Sequence, residues 1–229
     1  SPLSSAVGRR VLLATLAVLF GGFADVAPAW AQQAEGRRIE VLFLGHESRH
    51  HPSDSAAAFL VPALAKEGFN FQYTTDPNDL NPENLARYDA LLLYANHDSI
   101  TPSQEQALLQ FVESGHGFIP IHSASHNFRN SARVIALIGG QFDRHGVGTF
   151  TVPITQPNHP VMQGLQPFET WDETYIHKNH NPEGRTVLME RVEGDHPEPW
   201  TWVREQGEGR VFYTAYGDGW GFEPLLPEK

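Results

Sequence analysis

The sequence predicts an α/β fold, an open and mostly parallel sheet with helices on both faces and antiparallel additions in its C-terminal part. Three observations carry that expectation. Short apolar runs suit strands buried on both faces: Val41–Leu44 ends at Gly45, and Ala90–Tyr94 is followed by Ala95-Asn96-His97-Asp98. Helical patterns separate these runs in the first half of the chain. After about residue 140 strand-like segments follow one another without good helices between them.

Taken in order, Glu40–Leu44 reads as the first strand and stops at Gly45. Ser53–Lys66 reads as a helix capped by Ser53 or Asp54, with Ala57, Leu60, Val61 and Leu64 on its apolar face; Gly68 ends it, and Pro62 should kink or shorten it. Phe69–Thr74 and Ala90–Tyr94 are the second and third strands. Thr101-Pro102-Ser103-Gln104 combines a threonine cap, proline at the first helical position and glutamine three residues on, so a helix runs from there to Ser114 and stops at Gly115. Phe118–Ile121 is a fourth strand, and Ser131–Ile138 a helix ended by Gly139 and Gly140. Thr149–Ile154, Glu169–Tyr175, Thr186–Arg191, Trp200–Val203 and Arg210–Ala215 are strand-like, joined by Pro- and His-rich pieces. His159-Pro160 and His196-Pro197 read as loop punctuation.

Composition removes several kinds of chemistry. With no Cys among 229 residues there is no disulfide, thiolate metal site or Cys nucleophile. The net charge of −11 disfavours nucleic acid and anionic lipid as partners. Sugars, cations and other neutral or positive ligands remain open. Twelve histidines are an unusual number for this length, so imidazole, carboxylates, hydroxyls or a metal must carry any catalysis.

The first 31 residues read as a secretory signal: Arg9 and Arg10, an apolar run from Val11 to Phe23, and Ala29-Trp30-Ala31 as the cleavage site. At ~1.5 Å per residue this run is too short to cross ~30 Å of hydrocarbon. A secreted or periplasmic protein without a stable membrane anchor follows, with residues 32–229 as a single domain.

Three predicted strands end in histidine: His46, His97 and His122. In parallel strands these imidazoles share the carboxyl edge, where open α/β sheets bind ligands. Of the adjacent His50 and His51, at most one can face such a crevice, and His50 reads as a polar loop residue. Ser123 follows His122 at a strand-to-helix turn, but the glycines of a G-x-S-x-G nucleophile turn are missing, so a serine triad is disfavoured. His145 lies in a loop with Gly146 and Gly148. Asp172 and Glu173 are neighbours on a predicted strand, so alternation sends them to opposite faces; Glu173 is favoured for the site, with Asp172 ordering a loop or pairing with an Arg.

His122, His46 and Glu173 are thus the candidate catalytic groups, with His97, His145, Tyr175 and Trp202 as candidate substrate contacts. Trp171, Tyr175, Trp200 and Trp202 supply flat faces of the kind that pack on sugar rings, although aromatic residues on strands more often pack the core or the sheet surface. His46, His122, His145 and Asp172 are candidate ligands of a divalent metal, Zn²⁺, Mn²⁺ or Fe²⁺, although no HExxH-like spacing supports one.

Six motifs occur in register: Gly45-His46; Ile119-Pro-Ile-His122-Ser-Ala124; Gly139-Gly-Gln-Phe142-Asp-Arg-His145; His159-Pro-Val161 with Gly164-Leu165; Trp171-Asp-Glu-Thr-Tyr175; and Trp202-Val-Arg204 with Gly209-Arg-Val-Phe-Tyr-Thr214. Together, over about residues 39–217, they resemble the trehalose-utilisation (ThuA-like) family. The resemblance implies a class I glutamine amidotransferase-like, flavodoxin-like fold in which the Cys of the nucleophile turn is absent and His122 stands about where it would be. It further implies a role in sugar catabolism directed at oxidised (3-keto) glycosides. One departure is visible. The family pattern after the last strand is Gly-His-Asp followed by a closing helix, whereas Tyr216-Gly217-Asp218-Gly219-Trp220 lacks that His and the C-terminal end reads short. Two functions follow: an exported hydrolase, lyase or isomerase using His acid/base or metal-assisted chemistry on a sugar, or a non-catalytic carbohydrate-binding domain. A Cys-dependent amidotransferase is excluded.

Overall fold

Strand β1 (Ile39–Leu44) shows why the sheet is covered on both sides. Its residues alternate between two separate apolar clusters, Leu42 and Leu44 in one and Val41 and Phe43 in the other. In the computed structural model, which describes residues 37–48 and 50–218, the same division repeats in β3 (Ala90–Leu93), where Leu91 and Leu93 join the first cluster and Ala90 and Leu92 the second. The expected signal segment, residues 1–31, lies outside the described residues. The fold below is that of the unit beginning at Arg38.

β1 pairs in parallel with β2 (Phe69–Thr74) on one side and with β3 on the other; β3 then pairs in parallel with β4 (Gly117–Pro120). Four further strands come late in the chain: β8 (Ile176–Lys178), β9 (Arg185–Glu193), β10 (His196–Gln206) and β11 (Gly209–Thr214). β11 returns to lie parallel to β4, and β10 and β9 continue the sheet antiparallel beyond it. The strand order β2-β1-β3-β4-β11-β10-β9 is a flavodoxin-like parallel core with two antiparallel strands added. Two small ribbons stand apart from this sheet: β5 (Gln141–Arg144) with β8, and β6 (Val147–Thr151) with β7 (Glu169–Glu173).

Helix α1 (Ser53–Ala65) covers the Val41 and Phe43 face through Ala56 and Ala57. The single turn α2 (Pro82–Leu85) adds Leu85 to the opposite cluster, where α3 (Pro102–Glu113) and α4 (Ala132–Ile138) bury Leu108, Val112, Leu137 and Ile138. The capping box at Thr101 and Gln104 forms as its spacing predicts. Among the described residues no helix is long and apolar enough to cross a membrane.

Two local expectations are corrected, the cap of α1 and the role of His196-Pro197. Pro52, not Ser53 or Asp54, is the N-cap of α1, because the Ser53 hydroxyl is engaged at the end of β1, where it bonds the His46 backbone and Tyr73. Pro62 sits inside α1 without ending it at that point. The carbonyl it leaves without a donor belongs to Ala58, an exposed residue that water can reach. His196-Pro197 begins β10 rather than punctuating a loop. The tolerance has a simple cause: β11 covers only Thr201–Gln206, so Pro197 and Pro199 lie where β10 has β9 alone as a neighbour.

Candidate functional site

His46, His97 and His122 follow β1, β3 and β4, which are adjacent and parallel, so all three stand at the carboxyl edge of one sheet. The structure then divides them. His46 and His97 face each other with ring centroids 6.4 Å apart, while His122 joins a different group built from His51, His145 and Glu173.

His122 is the centre of that group. It is fully buried and has φ = 50°, a left-handed conformation that costs a non-glycine residue roughly 1 kcal/mol or more. Several contacts hold it there. Its carbonyl accepts from Ser125 Oγ at 3.1 Å and lies 3.1 Å from the Tyr213 hydroxyl. Its ring stacks on Tyr175 at 4.2 Å with planes 21° apart. Gly217 closes over it, and a Cβ at that position would stand 2.2 Å from the His122 Cβ, so only glycine fits.

The hydrogen bonds determine which ring nitrogen is available. His122 Nδ1 is 2.6 Å from the Ala215 carbonyl oxygen, which can only accept, so Nδ1 carries the proton and the Nε2 lone pair points elsewhere. It points toward Glu173 Oε2, 3.2 Å away. Glu173 Oε1 lies 3.5 Å from His145 Nε2, and Oε2 lies 3.9 Å from His51 Nε2. His145 repeats the pattern, with Nδ1 3.0 Å from the Gly146 carbonyl and Nε2 left for the site. His51 also adopts a positive φ, 56°, and turns Nδ1 toward Asp218 Oδ1 at 3.6 Å. Burial opposes the charge on Glu173, but His122, His51 and His145 outweigh it and hold the carboxyl below its ordinary range. Asp218 is held low by its contact with His51.

Asp172, on the other face of β7, takes a different role from the metal ligand the sequence also allowed. Its carboxylate accepts the backbone N–H groups of Gly217, Asp218 and Glu173, at 3.1, 3.1 and 2.7 Å, and so ties the loop after β11 to β7. Burial pushes its pKa up, against His122 and these donors. It also borders a cavity of about 320 Å³ lined by Phe168, Thr170, Thr214 and Tyr216.

Four other sequence candidates are corrected. His46 has no nitrogen free for catalysis or for a metal: Nδ1 accepts from the Asn96 N–H and Nε2 donates to the His51 carbonyl, at 3.1 and 2.9 Å. It positions the loop that carries His51. Trp202 is fully buried, stacked on Tyr213 and bonded through Nε1 to the Ile138 carbonyl, so it offers no face to a ligand. His97 donates through Nε2 to the Gly45 carbonyl and stacks on Phe128, which makes it a packing residue of the β1–β3 edge. Tyr175, also buried, backs the imidazole of His122 instead of presenting an open ring.

Sequence reasoning missed two features. The His50–His51 pair leaves His51 as the one able to face the crevice, yet nothing local raises it to a candidate, because its placement depends on the bond from His46 Nε2 to its carbonyl. The second is a buried chain behind His122, in which His177 Nδ1 donates to Glu198 Oε1 at 2.7 Å and Nε2 lies 2.9 Å from the Tyr213 hydroxyl that reaches His122. His177 falls between two predicted strands and Glu198 in a Pro-rich piece, so neither carried a pattern.

The model of a family described as trehalose utilisation, ThuA, matches residues 40–220. Among solved structures, a putative ThuA-like protein from Bacteroides uniformis is similar with a TM-score of 0.68 at 21% identity, covering 80% of this chain and 84% of that one. A putative ThuA-like protein from Parabacteroides merdae is similar with a TM-score of 0.67 at 16% identity, covering 78% and 79%. A cytoplasmic protein from Salmonella typhimurium gives 0.58 at 17% identity, covering 82% and 92%. These likenesses concern the fold. No curated protein matches this chain.

Proposed function

The chain belongs to the ThuA family of trehalose utilisation, and on that premise we propose that it is an exported enzyme of carbohydrate catabolism acting on a sugar or 3-keto-glycoside at His122 and Glu173. The observation that carries this reading is a buried imidazole, held in a strained turn at the carboxyl edge, whose only uncommitted nitrogen faces a carboxylate. Sites of that kind bind electrophiles or move protons.

A keto group acidifies the C–H beside it, so a polarised carbonyl oxygen and one nearby base are enough for enolisation, elimination or isomerisation. His51, His122 and Glu173 are suited to hold what polarises the oxygen. His145 is suited to carry the proton, since its Nε2 lone pair faces Glu173 and its side chain is 37% exposed at the mouth of the site. The grouping of Glu173, Asp172 and Asp218 in a chain of net charge −11 favours a neutral sugar over a phosphorylated one. Export rests on the Arg9-Arg10, apolar and Ala29-Trp30-Ala31 order of the leader; the exported protein begins at Gln32, which mass spectrometry of protein from the producing cell checks.

The decisive experiment is turnover of a panel of 3-keto-glycosides by the parent and by His122→Gln. A loss of about 10²–10⁴-fold with the fold retained is expected. Equal turnover by the variant removes His122 from the reaction. Sugar binding that survives without any turnover in the parent replaces the enzyme by a carbohydrate-binding domain.

A further inference from the structure

Three atoms in the site lack partners. His122 Nε2 and Glu173 Oε2 are buried and face each other at 3.2 Å without a hydrogen-bond partner, and His51, whose buried Nδ1 is also unpaired and lies toward Asp218 at 3.6 Å, brings its Nε2 to 3.9 Å from Glu173 Oε2. Leaving such atoms unpaired is costly, and proteins tolerate it mainly where something else fills the gap. We propose that His51, His122 and Glu173 are the ligands of one divalent transition-metal ion, of the Zn²⁺, Mn²⁺ or Fe²⁺ type. This deepens the reading above, because it names the group that would polarise the sugar oxygen.

The spacing supports it. One donor atom from each of the three residues can be chosen so that all lie within 4.8 Å of one another. Ions of this class bind nitrogen and carboxylate oxygen at ~2.0–2.2 Å, which sets neighbouring ligand atoms ~3.0–3.5 Å apart. The 3.2 Å between His122 Nε2 and Glu173 Oε2 already falls in that interval, and the 3.9 Å from His51 Nε2 to Glu173 Oε2 needs only a small side-chain shift.

A proton is the rival occupant, and it does less. Shared between His122 and Glu173 it would satisfy those two atoms and leave the neighbouring His51 Nε2, 3.9 Å from Glu173 Oε2, with no part in the site. A cation can serve both histidines and the carboxylate. It also answers the charge of the region, where Glu173, Asp172 and Asp218 gather and, among the described residues, no Lys or Arg forms an ion pair with any of them.

The surroundings are those of a metal ligand set. Imidazoles that bind metals usually donate their other N–H to a carbonyl or carboxylate, as His122 Nδ1 does to Ala215. The bond from His46 Nε2 to the His51 carbonyl holds the His51 backbone, so His46 acts as a positioning residue. Two nitrogens and one carboxylate oxygen suit borderline first-row ions better than Mg²⁺ or Ca²⁺, which prefer oxygen alone. Three protein ligands leave coordination positions open for sugar oxygens.

The test reads metal binding without any need for turnover. Full-length protein is analysed for bound metal as purified, stripped with a chelator, and titrated separately with Zn²⁺, Mn²⁺ and Co²⁺, the last followed by its visible absorption. One equivalent per chain is expected. His51→Gln and Glu173→Gln should each weaken binding by about 10-fold or more with far-UV circular dichroism unchanged; His51→Gln serves as the safer variant, since its side chain is only part-buried in a loop. Fewer than about 0.1 equivalents of every ion bound to the folded parent overturns the proposal. Parent-like binding by both variants overturns it too. Metal bound to the parent and lost in the variants without any keto-glycoside turnover upholds the site while the enzyme reading falls. Undiminished turnover by the stripped protein upholds the enzyme and removes the metal.

Discussion

Two histidine–glutamate pairs lie within one fold and have opposite bonding states. In His177–Glu198 every polar atom is used: His177 Nδ1 and its backbone N–H both reach Glu198 Oε1, at 2.7 and 3.0 Å, Nε2 meets the Tyr213 hydroxyl, and Glu198 Oε2 lies 3.2 Å from His196 Nε2. In His122–Glu173 the facing atoms are 3.2 Å apart and both lack hydrogen-bond partners. The first pair is complete by itself and reads as structure. The second is complete only with something added, which is the physical signature of a binding centre. Tyr213 links them, since its hydroxyl touches His177 Nε2 on one side and the His122 carbonyl on the other.

The sharpest way to break this contrast is to truncate one acid in each pair. Glu198→Ala leaves His177 buried beside a hole, and a loss of about 3–5 kcal/mol is expected. Glu173→Gln removes a charge that has no hydrogen-bond partner at Oε2, so its stability should stay within about 1 kcal/mol of the parent while ligand binding collapses. Urea unfolding of the two variants checks both. A stable Glu198→Ala protein, or a severely destabilised Glu173→Gln protein, would exchange the roles assigned to the pairs.

Next in size is Gly217→Ala. The added Cβ would meet the His122 Cβ at 2.2 Å and Cγ at 2.5 Å, so either the loop tied by Asp172 or the strained His122 turn must move. Overpacking of this kind costs about 1–3 kcal/mol. Activity should fall further than stability, because the displaced groups hold the site; kcat measured beside the thermal midpoint separates the two.

The smallest effect is the pH dependence of the closed pair. Burial pushes the pKa of His177 below its ordinary 6.5, against the pull of Glu198. Burial raises Glu198 but the bonds from His177 outweigh it, leaving the carboxyl below its ordinary 4.5. Both shifts have the same sign in stability: the unfolded chain binds protons first, so the contribution is complete above pH 6.5 for His177 and is lost as pH falls toward its folded value, followed by that of Glu198 below 4.5. His97, His126 and His180 are likewise lowered by burial and act in the same direction. Thermal midpoints should therefore decline from pH 7 to pH 5, and His177→Gln should flatten that slope.

Much of the fold was readable because its causes are local. Val41–Leu44 and Ala90–Leu93 are apolar throughout, as only strands covered on both faces need to be, and Thr101 to Gln104 caps its helix within four residues. β5 and β8 were missed because Gln141–Arg144 and Ile176–Lys178 are short, mixed in character and paired to each other across the chain. Candidate chemistry was readable in part. His46, His97 and His122 could be set at one sheet edge from their positions after strands, and the alternation of Asp172 and Glu173 could be read from a strand period of two.

The parallel core, the order of its strands along the chain and the edge at which the histidines gather follow from local signals, since apolar runs, caps and stop signals act over a few residues. Which of those histidines has a nitrogen to spare is a matter of long-range packing. That depends on counting partners supplied from far away: Ala215 occupies His122 Nδ1 across 93 positions and Asn96 occupies His46 Nδ1 across 50, while Glu173 brings its oxygen to His122 Nε2 without closing a bond. A side chain's identity states what it can bond, and the packing of distant segments decides which bonds are left over.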